Sequence, residues 1–206
     1  MSMPRGMKIT CSDCGKEGNF TIWHSVNVDS DPETREQVKN GKLFEYVCDG
    51  CGKKFNVEYK FLYHDCLNKF LIWYMPRRDY DITQEVENIN NMPSNRYWGA
   101  SYRQRIVDNK SSLIEKIKIF EMGLNDIIIE IIKSFIINEA EDNNVEVIFD
   151  RIEDEYLIFY MSNGKGVKYP YETYLEMIKD IPTKESKDCI IVNTNTAYQF
   201  CVGTDD

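Results

Sequence analysis

An α+β fold is the class this sequence predicts, and three observations predict it. Short runs of β-forming residues flank two cysteine pairs within the first 76 residues, an apolar period of helical spacing occupies 113–135, and strand patterns return after residue 145. The 206 residues, 42% hydrophobic and 29% charged, suffice for a packed core in one or two domains.

Residues 7–10 form a strand leading into Cys11, and 20–28 is rich in β-formers. Asp31-Pro32, then 33–39 and Gly41, read as a short capped helix, since proline fits the first helical position and glycine ends the run. Residues 43–47 return as a strand into Cys48. Beyond the second cysteine pair, 55–59 alternates apolar with polar, and 69–75 is an aromatic strand ending at Pro76. The stretch 77–110 has no clear period and carries Pro93, Gly99 and several asparagines, so it reads as a long connection with room for a short helix. Leu113, Ile117, Phe120, Leu124, Ile128, Ile131 and Phe135 then recur at helical spacing, giving one kinked helix or two meeting at Gly123. Residues 145–152 and 156–161 read as strands joined at Glu153-Asp154, with the next turn at Asn163-Gly164-Lys165-Gly166. A helix over 171–181 and closing strands over 189–192 and 197–202 complete the pattern. The organisation predicted is a strand-rich metal-binding module over 1–76, a connector over 77–110, and a helix plus α+β part over 111–206.

Twenty-five basic and 34 acidic residues leave a net charge of −9, and the excess is local: 1–137 holds 19 of each sign, 138–206 holds 6 basic against 15 acidic. An acidic protein gains no general attraction for phosphate backbones, so nucleic-acid binding would need a local basic patch. The most apolar stretch, 127–137, is broken by Glu130, Lys133 and Ser134, which excludes it as a membrane span. Arg5 has no apolar segment behind it, so no secretory signal is expected and the location predicted is cytoplasmic. Seven cysteines are an awkward number for a disulfide framework, yet they suit a reducing compartment as metal ligands and buried thiols.

Cys11-x-x-Cys14 and Cys48-x-x-Cys51, separated by 33 residues, carry the strongest chemical signal. Two ligands on one tight turn grip an ion from one side, and two such turns complete a tetrahedron of four thiolates, which fits zinc best, with iron as the alternative. Gly15 and Gly52 follow the pairs where the chain must bend, and Lys16, Lys53 and Lys54 can offset the double negative charge of such a site. Four protein ligands leave no position for water or substrate. The site is therefore expected to hold the fold together, for which metal binding on the order of ~10 kcal/mol is available.

These knuckles, with Val26-Asn27-Val28 and Asp31-Pro32 between them, Tyr63-His64-Asp65 after them, and Ile117-Lys118-Ile119-Phe120-Glu121 leading to Gly123, Leu124 and Asp126, resemble the prokaryotic CpXC family over most of residues 7–138. That family is named for paired Cys-Pro-x-Cys motifs. Ser12 and Asp49 stand where it usually has proline, which keeps the ligands and makes the knuckles slightly less rigid. The resemblance implies a zinc-ribbon-like module followed by a helical and α+β part, and it supplies no reaction.

Only His24 and His64 are present, so a multi-histidine catalytic metal site is excluded. His24 reads as a cross-strand packing residue. In His64-Asp65-Cys66 the adjacent carboxylate could orient the imidazole and the thiol could act as a nucleophile, but neighbours on a strand face opposite ways, so a capping or hydrogen-bonding histidine at a turn is the plainer reading. The competing class is a hydrolase-like enzyme joining the His64 region to C-terminal carboxylates; separately, Asp150, Glu153, Asp154 and Glu155 could hold a divalent cation for nuclease-type chemistry, but clustered at a turn they read as solvated charges. Five of the eight arginines, Arg77, Arg78, Arg96, Arg103 and Arg105, interleave with Tyr80, Tyr97, Trp98 and Tyr102, a combination that holds single-stranded nucleic acid. Asp79, Asp81, Glu85 and Glu87 leave that stretch at +1, so a packed connector, or a contact with a protein or an anionic ligand, competes. Arg77, Arg78, Arg96, Tyr97, Trp98, Arg103 and Arg105 are the candidate partner surface. The isoleucine-rich helix 113–137 is apolar on more than one face, as a core helix or as a surface for a homo-oligomer. The function predicted is zinc-stabilised binding of a protein or nucleic acid, away from membranes, rather than catalysis.

Overall fold

A computed structural model describes residues 2–76, 81–93, 102–140, 144–183 and 188–201. Strand β1 (Pro4–Thr10) pairs antiparallel with β2 (Glu17–Trp23), turning at the first cysteine pair. After β3 (Ser25–Asn27) and α1 (Pro32–Lys39), a second antiparallel hairpin of β4 (Glu45–Val47) and β5 (Lys54–Asn56) turns at the second pair. Pro32 opens α1 at its first position, and Thr34 and Val38 are its buried face. The region 43–47, expected to be strand throughout, begins as a 3-10 turn over Lys42–Phe44. His24 is exposed in a bend between β2 and β3, so it packs across no strand pair.

The central sheet places β3, β6 (Phe61–Asp65), β7 (Phe70–Tyr74) and β8 (Arg103–Val107) side by side. Its inner pair is antiparallel and both outer pairs are parallel. The two parallel pairs require crossovers, and α1 lies in the first and α2 (Ile82–Asn90) in the second. The stretch read from sequence as a connection thus contains a helix and a sheet strand. β8 escaped notice because its sequence, Arg-Gln-Arg-Ile-Val, hides polar residues: Gln104 and Arg105 are each 1% exposed. Its outer edge meets residues 189–192, where Ile190 bridges Arg105 and the Ile106 amide donates to the Ile190 carbonyl at 3.2 Å. Residues 197–200 are a 3-10 turn rather than the expected closing strand, and Cys201 bridges Thr183.

Helix α3 (Lys110–Glu121) and helix α4 (Asp126–Glu139) meet at Gly123, which settles the expected pattern as two helices. The Asn109 side chain caps α3 by accepting from the Ser112 amide, and that of Asn125 caps α4 by accepting from the Ile127 and Ile128 amides. α3 packs on β7 and on β9 (Val147–Glu153), the first strand of a meander with β10 (Tyr156–Met161) and β11 (Gly166–Pro170). Helix α5 (Tyr171–Asp180) follows and lies against α4. The apolar core runs through all these layers, with Phe70 against Phe120 at 5.1 Å and Phe149 against Phe159 at 5.6 Å. In α4, Ile127, Ile128, Ile129, Ile131 and Ile132 are all buried, whereas Phe135 remains exposed, as does Met122 at the end of α3. No described helix is long and apolar enough to cross a membrane.

A buried chain of six charges of alternating sign ties these layers. Arg105 on β8 grips both carboxylate oxygens of Asp126 at 2.8 Å. Lys116 bridges Asp126 at 3.1 Å and Glu130 at 2.9 Å, and Lys133 bridges Glu130 at 3.0 Å and Glu115 at 2.9 Å. Glu115 ends the chain by accepting the Phe149 amide of β9 at 2.6 Å. The formal charges cancel, which is the condition under which interior ions are tolerable.

Candidate metal centre

Each cysteine pair occupies the turn of its hairpin, and the two turns are built alike. The Gly15 amide donates to the Cys11 carbonyl and the Gly52 amide to that of Cys48, at 3.0 and 2.8 Å. The Cys11 amide donates to the Lys16 carbonyl and that of Cys48 to Lys53, both at 2.9 Å. Gly15 and Gly52 take φ of 71° and 73°, the left-handed region in which a side chain is strained. Nothing lies within 4 Å of where a Cβ at Gly52 would sit. Gly52→Ala is therefore expected to cost about 1 kcal/mol through backbone strain alone, with the metal stoichiometry unchanged. Denaturant unfolding followed on the hairpin amides checks this, and a cost near zero would contradict the assigned turn.

The four sulfurs of Cys11, Cys14, Cys48 and Cys51 lie within 4.8 Å of one another, and all four are free thiols. Cys11 faces Cys51 at 3.7 Å and Cys14 faces Cys48 at 3.6 Å. A disulfide would bring sulfurs to about 2.05 Å. A tetrahedral site with metal–sulfur bonds of about 2.3 Å requires sulfurs about 3.8 Å apart, close to what is observed. Cys11 and Cys48 are buried and Cys14 and Cys51 exposed, so the ion would have a covered side and an open side. The amides of Cys51 and Gly50 point at the Cys48 sulfur and hold its thiol low, at about 6, which prepares a thiolate at that corner. Lys53 pairs with Asp13 across the two knuckles. The four-cysteine cluster is thus in position to bind a metal.

The other residues singled out in the sequence fare differently. Arg105 is inside, bonded to Asp126, so it forms no part of a partner surface; that expectation is corrected by its place on a covered strand. Arg103 lies over the Phe120 ring at 4.8 Å and donates to the Leu124 carbonyl. Arg77, Arg78, Arg96, Tyr97 and Trp98 lie outside the described residues. Asp65 turns away from His64 to bind Arg35 at 3.0 Å and the Asn68 amide at 2.8 Å. Asp150 is held by Lys118 and Arg151, and Glu153 by Arg151; among the described residues neither meets His64. The buried ion chain was missed in sequence, although Glu130 and Lys133 interrupting an isoleucine run were its visible trace.

Comparison with known proteins gives one family, described as CpXC protein, whose pattern matches residues 9–133. The flagellar assembly factor FliW of Clostridium acetobutylicum is 32% identical over 97 residues. That segment is 46% of this chain and 64% of that protein, so the chain spans less than two thirds of the relative's length. No solved structure matches.

Proposed function

The chain belongs to the CpXC family, and from that premise we propose that Cys11, Cys14, Cys48 and Cys51 hold one structural zinc ion that fixes the two hairpins as a module for binding a protein partner. The observation that carries this reading is the sulfur tetrahedron, with 3.6 and 3.7 Å edges on two matching turns. Zinc suits four thiolates and has no redox chemistry of its own, and a closed coordination shell serves stability rather than chemistry. A protein partner is favoured over nucleic acid because Arg105 is committed to the interior and Arg103 to Phe120, while the net charge is −9. The FliW relative is by its name an assembly factor, which agrees with a binding role.

A native mass spectrum of the untreated full chain is expected to show one zinc per chain. A chain without zinc, or with iron, would overturn the metal assignment. For the partner class, fluorescence anisotropy with single-stranded oligonucleotides at physiological salt is expected to show no binding; saturable binding there would move the reading to nucleic acid.

A further inference from the structure

Cys66 lies one residue beyond β6, and the pleat puts His64 and Cys66 on one side while Asp65 turns to the other. The Cys66 sulfur sits 3.2 Å from His64 Nε2. Asn27 Nδ2 donates to the same sulfur at 3.4 Å. The Asn27 amide is oriented for this because its Oδ1 accepts from the Asp29 and Ser30 amides at 3.1 and 3.3 Å. Tyr102 sets its ring edge-on to His64 at 5.2 Å. The thiol therefore has a proton acceptor and a polar neighbour beside it, while Cys66 itself is only half-buried.

We propose that Cys66 is a nucleophilic thiol, with His64 as its base, that exchanges with low-molecular-mass disulfides. His64 is only 7% exposed, and burial pushes its imidazole below the ordinary value, so the ring stands neutral and its imidazolium is a fleeting species, formed as the sulfur attacks and discharged at once to the leaving thiolate. In the step, Nε2 takes the Cys66 proton and the sulfur attacks one sulfur of a disulfide RSSR. The new bond is Cys66–S–S–R, the R–S–S–R bond breaks, and the departing RS⁻ takes the proton back from the imidazolium. Cys66 is oxidised to the mixed disulfide as the reagent is reduced to RSH, so electrons and protons balance.

Exchange at sulfur is favoured over acyl transfer by one contact. The Cys66 amide, the backbone donor nearest a developing oxyanion, is already given to Asp29 Oδ2 at 2.6 Å. Displacement at sulfur keeps its charge on sulfur and needs no such donor. Among the described residues no second thiol hydrogen-bonds to Cys66, so the product rests as the mixed disulfide.

The test is to incubate the metal-loaded full chain with oxidised glutathione and to follow adducts by intact mass and peptide mapping. Cys201, a half-buried thiol that burial pushes up and whose sulfur meets the Ala197 carbonyl, with no imidazole hydrogen-bonded to it among the described residues, is the internal reference. Cys66 is expected to react roughly tenfold faster than Cys201, and His64→Gln to remove that advantage while leaving the Cys201 rate and metal content unchanged. Equal rates at Cys66 and Cys201 in the unaltered chain would overturn the proposal, and this comparison stands even if the variant fails to fold. A folded His64→Gln chain with an undiminished Cys66 rate would overturn it equally.

Discussion

Cys48→Ser is expected to abolish metal binding and to release both hairpins while the remaining layers stay folded. A serine hydroxyl does not ionise near neutral pH, so one corner of the tetrahedron is lost, and it is the corner where the Cys51 and Gly50 amides favour a thiolate. What remains to hold the hairpins is small: Phe20 and Tyr46 are their buried side chains besides Cys11 and Cys48, with Ile9, Ile22, Phe55, Val57 and Tyr59 partly covered. Two-stranded hairpins over so small a cluster are marginal in water, whereas metal binding supplies on the order of ~10 kcal/mol. The larger core that runs from Val26 to Ala197 contains no ligand and meets the hairpin cluster at its margin, through Tyr59, so its dependence on the metal is small. Hydrogen exchange measures this directly: amides of β1, β2, β4 and β5 should lose protection, while those of β6, β7, α3 and α4 keep it. A variant that retains a full equivalent of metal, or protected hairpin amides, would sink the assignment.

The four-cysteine cluster was legible in sequence because its geometry is local. Each pair of ligands is set by a four-residue turn, and Gly15 and Gly52 mark the positive φ that closes it. The strands Phe70–Tyr74 and Tyr156–Met161 were legible for a similar reason, as continuous runs of apolar and aromatic residues. β8 was not, because its pairing is non-local and its polar side chains are satisfied by partners far along the chain: Arg105 by Asp126, 21 residues later. The imidazole and thiol of His64-Asp65-Cys66 are visible in sequence as a candidate pair, and the alternation that separates His64 from Asp65 is what joins residues two apart, His64 and Cys66, on one side. Residues 197–200 carry apolar and aromatic types that suit a strand, yet they form a turn whose tertiary setting outweighs that weak preference.

Asp126→Asn is expected to lower stability by about 3–5 kcal/mol at neutral pH, because it leaves Arg105 and Lys116 buried with too little negative charge between them. For a chain of this size that is a fall in Tm of roughly 10 °C. The pH dependence follows from the same contacts. Burial alone would push the Asp126 carboxyl up, but Arg105 and Lys116 outweigh it and hold the group well below the usual carboxylate range. A carboxyl whose value is lower folded than unfolded contributes stability that is complete above the unfolded value, about 3.9, and that drains away as pH falls beneath it. The gap between the unaltered chain and Asp126→Asn should therefore be widest near neutrality and shrink on acidification toward pH 3. Adding Arg105→Met to Asp126→Asn should cost less than the two single changes together, since it removes the cation that the first change stranded. Denaturant unfolding of the four chains at two pH values checks all of this. A loss under 1 kcal/mol for Asp126→Asn, or strict additivity in the double variant, would mean that Arg105 and Asp126 interact no more strongly than a surface pair. The expected coupling instead makes this buried pair a clamp of β8 on α4, in which each charge is tolerable only beside the other.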